Sequence, residues 1–386
     1  MKKIEQSFQV QFNYSVLFTE NLFYCKNTLL MDTIKANSLH SNVKVAFVID
    51  RNVDLFHKDL SEKINSYFNS HDLKSLPETM IVTGGEACKN DPQILQAVLE
   101  FVNEKRIDKH SYLIGIGGGA LLDLVGYAAS ISHRGVKHIR IPTTVLSQND
   151  SGVGVKNGVN YFGKKNFLGC FSPPVAVIND SNFLTTLSDR DWVSGTSEAV
   201  KVALLKSKEF YLWMDKNAES IQSRNKEAMV YSIYECAKYH VEHIRNSGDA
   251  FEKTSSRPLD FGHWAAHKLE QLSNFDIRHG EAVGIGIALD CLYSSKVGLL
   301  KEEKAWHVVN CIKKLGLPVT HELLTNDDGS AIRPELLKGL EEFREHLGGI
   351  LTITLLEDFG KSIDVHTMDV DKLNAAVLAL SNPVLA

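Results

Sequence analysis

One glutamate and three histidines in the second half of the sequence have the spacing of a metal site. Glu198 precedes Lys201 by three residues in a stretch of helical periodicity, so their side chains share a helix face. His263 and His267 are four residues apart and share another face, and His279 opens the next helical stretch. A histidine alone is more often structural than a ligand. One glutamate with histidines from separate helices, and with coordination positions left open, is nevertheless a plausible catalytic Zn²⁺ or Co²⁺ site, although spacing alone does not prove it.

A glycine-rich turn in the first half could hold a cofactor that contains phosphate. Residues 115–120 follow an apolar run and open an apolar helical stretch. Glycines let the backbone approach a pyrophosphate, and a helix N-terminus supplies free N–H groups and a positive dipole. The alternative is an ordinary tight turn between a strand and a helix. The usual dinucleotide-binding pattern places an acid about 20 residues after the glycines, whereas the candidate ribose ligand here, Asp50, ends an earlier strand.

Cations and glycines gather in a third segment, between these two regions. Lys156, Lys164 and Lys165 lie in a stretch rich in Gly and Asn, and Arg134 precedes it. One interpretation is a solvated surface loop. The other is a phosphate pocket, because a phosphate dianion needs clustered cations in a chain whose formal net charge is −5.

The elements around these residues predict an α/β N-terminal domain with a Rossmann-like parallel sheet, followed by a mainly α-helical domain. Short apolar runs alternate with helical stretches in the first half, which is typical of a doubly wound sheet. Asp91 and Pro92 have the types of a helix N-cap and first helical residue. We predict domains at residues 1–187 and 188–386, with the site in the cleft between them. The predicted strands are 43–50, 80–83, 112–116, 139–143, 175–179, 351–356 and 362–366, and the predicted C-terminal helices are 194–205, 226–245, 263–272, 281–292 and 302–315.

The composition excludes several classes of protein. A chain with 44% hydrophobic and 23% charged residues and a net charge of −5 gives no electrostatic reason to bind nucleic acid or an anionic membrane. No apolar run reaches about 18 residues, which predicts that no helix spans a membrane, and no apolar segment follows the N-terminal lysines as in a secretory signal. The six cysteines are scattered without a C-x-x-C pair, so reduced thiols and a cytoplasmic setting are expected.

Taken in order along the chain, these motifs resemble the sugar phosphate cyclases of the dehydroquinate synthase superfamily. The resemblance covers about residues 43–289, and its N-terminal part lies in D-R-N after the first strand, G-E with a following lysine, G-G-G-A-L-L-D and I-P-T-T. It implies an NAD site in which two acids hold the adenosine ribose, two glycines lie under the pyrophosphate, and an aspartate and threonines line the nicotinamide. The residues that it assigns to NAD are Asp50, Asn52, Glu86, Lys89, Gly118, Gly119, Asp123, Thr143, Thr144 and Thr186.

The C-terminal part of the resemblance lies in the elements G-x-x-E-x-x-K, G-H-x-x-x-H and H-G-E. It implies that Glu198, His263 and His279 are the metal ligands. It also implies a homodimer, in which an arginine reaches the substrate phosphate of the neighbouring subunit. The substrate residues that it assigns are Lys156, Asn166 and His267 at the phosphate, Arg134 from the neighbouring subunit, and Asp150, Lys165 and Lys201 at substrate hydroxyls or the nicotinamide.

The reaction implied by the family is a carbon–oxygen lyase reaction. Phosphate is a poor leaving group beside an unactivated C–H bond, so a neighbouring hydroxyl is first oxidised to a ketone with NAD, which acidifies that proton. A metal polarises the oxygens. After phosphate leaves, the hydride returns, the ring opens and an intramolecular aldol step closes a carbocycle, so NAD is recycled.

The sequence departs from dehydroquinate synthases next to the first metal histidine. Asp260 stands where the family has an asparagine, Arg257 is displaced by one residue, and Pro258 intervenes. No lysine occurs in residues 343–349, where the family has one that meets a substrate carboxylate. The element R-P-L-D-F-G-H resembles the sedoheptulose 7-phosphate cyclases, such as 2-epi-5-epi-valiolone synthase, although His267 is kept as in dehydroquinate synthase. The extra carboxylate of Asp260 can accept a hydrogen bond from a substrate hydroxyl, but it would repel a substrate carboxylate. We therefore expect sedoheptulose 7-phosphate as the substrate.

Three other functions remain open at this stage. The chain could be a 3-dehydroquinate synthase, or a metal-dependent alcohol or glycerol dehydrogenase, which shares the two-domain fold but needs no phosphate pocket. It could also be a catalytically silent NAD-binding scaffold. Lys156, Lys165, Asn166, Lys201 and His267 distinguish a cyclase from a dehydrogenase, and the complete ligand set argues against a silent scaffold.

Overall fold

The computed structural model describes residues 2–40, 43–71, 76–247, 249–251, 258–346 and 348–381. The chain forms two compact units, the first comprising Met1–Thr143 and Gly154–Asn182 and the second comprising Thr144–Val153 and Phe183–Ala386. The short segment Thr144–Val153 therefore belongs with the C-terminal part of the chain, although it lies between residues of the first unit in the sequence.

Six parallel strands form the sheet of the first unit, which confirms the predicted fold class. Among its described residues this unit has the strands β1 Ser15–Thr19, β2 Val45–Asp50, β3 Glu78–Val82, β4 Tyr112–Gly117, β5 Lys137–Pro142, β6 Lys156–Tyr161, β7 Lys164–Phe171 and β8 Ala176–Asp180. The spatial order in the sheet is β1-β8-β5-β4-β2-β3, and every neighbouring pair is parallel. Strands β2 and β4 are buried at every position, as expected of apolar strands covered on both faces. Neither β1 nor the antiparallel hairpin of β6 and β7 was predicted from the sequence.

The helices of the first unit are α1 Leu29–Ala36, α2 Arg51–Phe56, α3 Leu60–Ser70, α4 Glu86–Asn90, α5 Pro92–Glu104 and α6 Gly119–Ile131. The start of α5 is as predicted: the Asp91 side chain accepts a hydrogen bond of 2.9 Å from the backbone N of Gln93, and Pro92 is the first helical residue. This cap satisfies a backbone N–H that has no partner inside the helix.

Several of the predicted nucleotide residues lie at the carboxyl edge of this sheet. In the register of the strands Gly117 lies opposite Pro142, and Ile49 lies opposite Ile116, so β2, β4 and β5 end close together. Asp50 is the last residue of β2, and its Oδ1 accepts a 2.8 Å hydrogen bond from the backbone N of Asn52 at the start of α2. The first turn of α6 follows β4 directly, so its N–H groups lie at the same edge.

The second unit is mainly helical, as predicted. Its helices are α7 Asp189–Ser194, α8 Thr196–Lys206, α9 Lys208–Gln222, α10 Lys226–Asn246, α11 His263–Leu272, α12 His279–Lys296, α13 Glu302–Lys314, α14 Pro334–His346 and α15 Val370–Ser381, and its strands β9 Ile353–Asp358 and β10 Lys361–Val365 form an antiparallel pair. Helices α7, α9, α14 and α15 were not predicted. Within the described residues, no helix has both the length and the apolar character needed to cross a membrane.

A buried histidine in β5 makes the stability of the first unit sensitive to acid. Burial, together with the charge of Arg140, lowers the pKa of His138 to about 3, and the Nε2 atom of His138 has no hydrogen-bond partner among the described residues. An unfolded histidine titrates near 6.5. Below that pH the unfolded chain binds a proton that the folded chain does not bind until about pH 3, so the free energy of unfolding falls as the pH falls between these values.

We expect this residue to set part of the pH dependence of unfolding. Between pH 7 and pH 4.5 the free energy of unfolding should fall by about 2–3 kcal/mol more in the natural chain than in His138→Gln, whose side chain does not titrate. Urea unfolding followed by far-ultraviolet circular dichroism measures the difference. The exposed His40→Gln variant is the control and should keep the slope of the natural chain. Equal slopes in His138→Gln and the natural chain would show that His138 is not held neutral.

Candidate active site

Three helices of the second unit bring one carboxylate and two imidazoles together. Glu198 lies in α8, His263 begins α11 and His279 begins α12. One potential ligand atom from each residue lies within 4.8 Å of the other two. Glu198 Oε1 is 3.7 Å from His263 Nε2 and 3.5 Å from His279 Nε2, and the Glu198 side chain is fully buried. The structure thus gathers the three predicted ligands, which we call the ligand triad.

Both histidines of the triad are oriented by a partner on the other ring nitrogen. His263 Nδ1 lies 3.0 Å from the carbonyl oxygen of Phe261, which can only accept, so Nδ1 carries the proton and Nε2 has a free lone pair. His279 Nδ1 forms a short hydrogen bond with the Glu270 carboxylate. Metal-binding histidines usually donate their second N–H to a carbonyl or a carboxylate in this way. Both Nε2 atoms are therefore directed to the same point as Glu198.

Burial and charge set the protonation states in the triad. Burial raises the pKa of Glu198, but Lys201 and His279 outweigh it and hold the pKa at about 2. Burial lowers the pKa of Lys201, but its ion pair with Glu198 contributes to raising the pKa to about 12. Burial, with the charge of Lys201, keeps the pKa of His263 well below its usual value. Burial also lowers the pKa of His279, yet Glu198 and Glu270 outweigh it and raise the pKa to about 9.

The donor set fits a divalent cation of the zinc class. A buried carboxylate oxygen normally has a hydrogen-bond donor or a cation beside it. Glu198 Oε1 accepts no hydrogen bond from any described residue, and it faces two ring nitrogens across gaps longer than a hydrogen bond. Two imidazole nitrogens and one carboxylate oxygen leave a fourth position open, as in catalytic rather than structural zinc sites.

A close crossing of two backbones fixes the start of α11. Gly262 has φ +79, and a Cβ built on Gly286 of α12 would lie 2.0 Å from the Gly262 carbonyl oxygen. Asp290, one turn further along α12, accepts hydrogen bonds from the backbone N of Gly262 at 3.0 Å and from Trp264 Nε1 at 2.8 Å. These contacts flank His263 on both sides, so the helix that carries this predicted ligand is held in place by α12.

The glycine of the H-G-E element has a similar role. A Cβ at Gly280 would lie 1.9 Å from the carbonyl oxygen of Ser194 at the end of α7, so only glycine allows this approach. Glu281 accepts two hydrogen bonds, of 2.6 and 2.7 Å, from the Arg190 guanidinium and one of 2.9 Å from the backbone N of Arg278. Packing at Gly280 and the hydrogen bonds of Glu281 thus fix the start of α12, where His279 lies.

Asp150 lies near the triad on an unusual turn. Residues Ser147–Ser151 form one turn of π-helix, a conformation often found at functional sites. Asp150 Oδ1 lies 2.9 Å from Nδ1 of His240 in α10. Burial and the charge of Glu198 raise the pKa of Asp150, but Lys201 and His240 outweigh them and lower it. Asp150 is therefore an anion that is held by a histidine and a lysine.

Two carboxylates and a threonine form what we call the acidic corner. Thr354 Oγ1 of β9 lies 3.4 Å from Asp260 Oδ1 and 3.0 Å from Asp364 Oδ1 of β10. The Asp260 carbonyl oxygen also accepts a 2.9 Å hydrogen bond from the backbone N of His263. Since a hydroxyl has one proton, Thr354 can donate to only one of the two carboxylates at a time. The acidic corner is therefore joined to the first residue of α11.

His267 shares a face of α11 with His263, as predicted, with ring centroids 5.4 Å apart, and its ring stacks 6.1 Å from that of His279. Arg257 lies outside the described residues.

In the first unit, four of the predicted nucleotide and phosphate residues belong to one hydrogen-bonded network: Glu86, Lys89, Asp123 and Asn166. Lys89 of α4 is buried, and its Nζ donates to Asp123 Oδ2 of α6 at 2.9 Å and forms a short hydrogen bond with Asn166 Oδ1 of β7. Asn160 of β6 donates from Nδ2 to Glu86 Oε1 of α4 at 3.1 Å. The hairpin that carries the predicted phosphate ligands is therefore tied to both α4 and α6.

A buried arginine forms hydrogen bonds with the residues at the start of the same hairpin. Arg140 of β5 is almost completely buried. Its guanidinium donates to the carbonyl oxygens of Gly154 at 2.9 Å and Lys156 at 2.8 Å, and to Asn157 Oδ1 at 2.7 Å. These bonds fix the backbone of Lys156, whose side chain is exposed.

The remaining predicted residues are placed by their elements. Exposed side chains of the first unit include Arg134, Lys165, Asn166 and Asn52, while Asp50 and Thr143 are buried. Gly118 is the N-cap of α6 and Gly119 is its first residue. Thr144 and Thr186 belong to the second unit.

Sequence reasoning missed several residues of these sites. Glu270 had a visible signal, because it lies seven residues after His263 and so on the same face of α11. No such signal in the sequence identifies the other missed residues, because each contacts residues distant in the sequence: Arg140, Asn160, His240 and Asp290.

Comparison with known proteins agrees with this arrangement. The family model described as 3-dehydroquinate synthase N-terminal matches residues 79–194, and the one described as 3-dehydroquinate synthase C-terminal matches residues 195–333. The chain belongs to the 3-dehydroquinate synthase family. Within it the chain is an enzyme of the sugar phosphate cyclase class, and the predicted superfamily is confirmed.

Curated relatives of this family cover most of the chain. A 3-dehydroquinate synthase from a Nitratiruptor species is 34% identical over 305 residues, which are 78% of this chain and 82% of that protein. One from Shewanella halifaxensis is 31% identical over 284 residues, which are 73% of this chain and 77% of that protein.

Solved structures of two synthases have the same fold. The 2-epi-5-epi-valiolone synthase of Streptomyces hygroscopicus subsp. jinggangensis 5008, with NAD⁺ and Zn²⁺ bound, has a TM-score of 0.87 and 26% identity, covering 98% of this chain and 100% of that one. A 2-deoxy-scyllo-inosose synthase complexed with carbaglucose-6-phosphate, NAD⁺ and Co²⁺ has a TM-score of 0.74 and 21% identity, covering 94% and 95%. An iron-containing alcohol dehydrogenase shares the fold at a TM-score of 0.62 and 14% identity, covering 97% and 99%.

Proposed function

We propose that this 3-dehydroquinate synthase family member converts sedoheptulose 7-phosphate to a cyclitol such as 2-epi-5-epi-valiolone, with loss of phosphate. The observation that supports this substrate is the acidic corner, in which Asp260 and Asp364 share one threonine hydroxyl. Ionised carboxylates accept hydrogen bonds from sugar hydroxyls and repel a substrate carboxylate. The likeness to the valiolone synthase over the whole chain supports the same choice.

The ligand triad would hold the metal in this proposal, as Zn²⁺ or Co²⁺. NAD would lie at the carboxyl edge of the sheet, with the ribose at Asp50 and Glu86, the pyrophosphate at Gly118 and Gly119, and the nicotinamide near Asp123 and the threonines. The bound metal supplies polarisation of substrate oxygens, and NAD supplies reversible oxidation of one hydroxyl.

The side chains of the chain itself would orient the substrate for elimination. Lys156, Asn166 and His267 would bind the phosphate, and Lys165 a hydroxyl or the nicotinamide region. Lys201 is anchored by Glu198, and Asp150 is held by His240, so both present fixed charges to substrate hydroxyls. The departing phosphate would take the acidified proton itself, so no strong protein base is required.

We also propose a homodimer. Arg134 is exposed in the first unit, with φ +63, and would complete the phosphate pocket of the neighbouring subunit. An exposed guanidinium is well suited to this task because it binds phosphate oxygens in pairs.

A second candidate is 3-dehydroquinate synthase itself, because the curated relatives at 31–34% identity carry that name. One assay separates the two. The metal-loaded protein is incubated with NAD and either sedoheptulose 7-phosphate or the seven-carbon keto acid phosphate of dehydroquinate synthases, and phosphate release and product NMR are followed. Release of phosphate and a cyclitol spectrum from sedoheptulose 7-phosphate alone supports our proposal.

The cofactor should act catalytically in this reaction. Because NAD is reduced and then reoxidised within one turnover, an amount of NAD equal to the enzyme should sustain many turnovers, and absorbance at 340 nm should not rise in the steady state. The measurement is phosphate release against absorbance at 340 nm. A rise matched one-to-one to product would instead identify an alcohol dehydrogenase, whose fold is shared.

A further inference from the structure

Asn160 connects two sets of residues that the proposed function assigns to different ligands. The residue is 9% exposed, and its side chain makes three hydrogen bonds to described residues. Nδ2 donates to Glu86 Oε1 at 3.1 Å and to Asn90 Oδ1 at 2.7 Å, both on α4, while Oδ1 accepts from the backbone N of Asn166 at 2.7 Å. A backbone N–H can only donate, so the orientation of the Asn160 amide is fixed by its partners.

The residue at the other end of this link has a left-handed backbone conformation. Asn166 has φ +53, in a region that asparagine adopts more readily than most other residues with a side chain. Its N–H is held by Asn160, and its side-chain oxygen is held by Lys89. The orientation of the Asn166 side chain therefore depends on a residue that also holds Glu86.

We infer that Asn160 is a positioning residue that couples NAD binding to phosphate binding. This inference rests on the proposed function, in which Glu86 contacts the adenosine ribose and Asn166 contacts the substrate phosphate. Ribose binding fixes Glu86 and, through Asn160, the backbone of Asn166. Phosphate binding then orders fewer groups and is tighter, and by thermodynamic reciprocity phosphate tightens NAD binding by the same factor.

Two substitutions of Asn160 distinguish its contact with Glu86 from its contact with the Asn166 N–H. Asn160→Asp keeps an oxygen that can accept from the Asn166 N–H, but it replaces the donor to Glu86 with a carboxylate that repels it. Asn160→Ala removes all three hydrogen bonds. Both variants lose the hydrogen bond that orients the Glu86 carboxylate for the ribose. Because hydrogen bonds to charged groups are stronger than neutral ones, we expect NAD affinity to fall about 10-fold in both variants.

The distinguishing measurement is the dependence of NAD affinity on phosphate. NAD is titrated calorimetrically into the metal-loaded full chain, with and without saturating inorganic phosphate and at matched ionic strength. We expect phosphate to tighten NAD binding about 3- to 10-fold in the natural chain and not at all in Asn160→Ala. Phosphate affinity itself should be close to normal in Asn160→Asp and weakened in Asn160→Ala. The control is Asn103→Ala, the same change at an exposed position of α5, which should keep the natural coupling.

The possible outcomes distinguish failure of the coupling from failure of the proposed function. If the natural chain binds NAD and converts sedoheptulose 7-phosphate, but phosphate leaves NAD affinity unchanged or weakens it, the coupling does not exist. If the coupling survives in Asn160→Ala, another residue carries it. If the natural chain neither binds NAD nor releases phosphate, the proposed function fails and the inference fails with it.

Discussion

Glu198→Ala, His263→Ala and His279→Ala are each expected to lose bound metal and activity together. In the proposed site the three residues would supply one donor each, and the two donors left after a substitution would hold a divalent cation weakly. Replacing an outer partner of a metal ligand typically lowers metal affinity by about 10- to 100-fold. Loss of a ligand itself should cost more than that, so turnover should fall by at least about 1000-fold at trace free metal.

The measurement is elemental analysis of each variant after dialysis, alongside phosphate release. Glu198→Ala leaves the buried Lys201 without its carboxylate, which could destabilise the fold by about 3–5 kcal/mol. Glu198→Gln keeps the shape and a neutral oxygen, so far-ultraviolet circular dichroism of this variant separates loss of metal from loss of fold. Glu227→Ala, at an exposed position of α10, is the control and should keep full metal content.

A variant with a smaller expected loss of metal affinity provides a second test of the metal site. Glu270→Gln changes only the partner of His279 Nδ1, so metal affinity should fall by about 10- to 100-fold and excess metal should restore activity. Stoichiometric metal in all three ligand variants would disprove the assignment, whatever their activity.

The residues predicted from the sequence were those whose chemistry depends on local spacing. His263 and His267 share a face because four residues make about one helical turn, and His279 was expected at a helix start. The buried strands β2 and β4 were predicted within two residues of their observed bounds, because continuous apolar runs between polar turns have few alternatives.

The rest depends on long-range packing that a single sequence does not record. β1 and the β6–β7 hairpin alternate too weakly to be recognised, and the hairpin reads as a loop because its residues are mostly Gly, Asn and Lys. Arg140 resembles a surface cation until the structure places three acceptors around it. Arg140 is buried because these acceptors, which are 14 to 17 residues away in the sequence, bind its guanidinium. No local sequence pattern therefore predicts its burial.

Substrate choice is expected to follow the charge of the acidic corner. Asp260 and Asp364 both lie beside the one hydroxyl of Thr354, so a third carboxylate from a substrate would meet two groups of like charge at this corner. Like-charge repulsion at short range amounts to about 1–4 kcal/mol, or roughly one to three powers of ten in affinity. We therefore expect kcat/KM for sedoheptulose 7-phosphate to exceed that for the keto acid phosphate by at least about 10-fold.

The single change Asp260→Asn should narrow this preference, because it restores the neutral amide that dehydroquinate synthases have while keeping the size of the side chain. It need not create dehydroquinate synthase activity, since no lysine occurs in residues 343–349 and Arg257 remains displaced. The measurement is kcat/KM for both substrates in the natural chain, in Asp260→Asn and in Asp371→Asn, an exposed control in the first turn of α15. A natural chain that prefers the keto acid phosphate would overturn the substrate assignment, because the carboxylate would then be bound by a cation that outweighs both acids of the corner. Equal preference ratios in Asp260→Asn and the control would show instead that Asp260 does not contact the part of the substrate that differs.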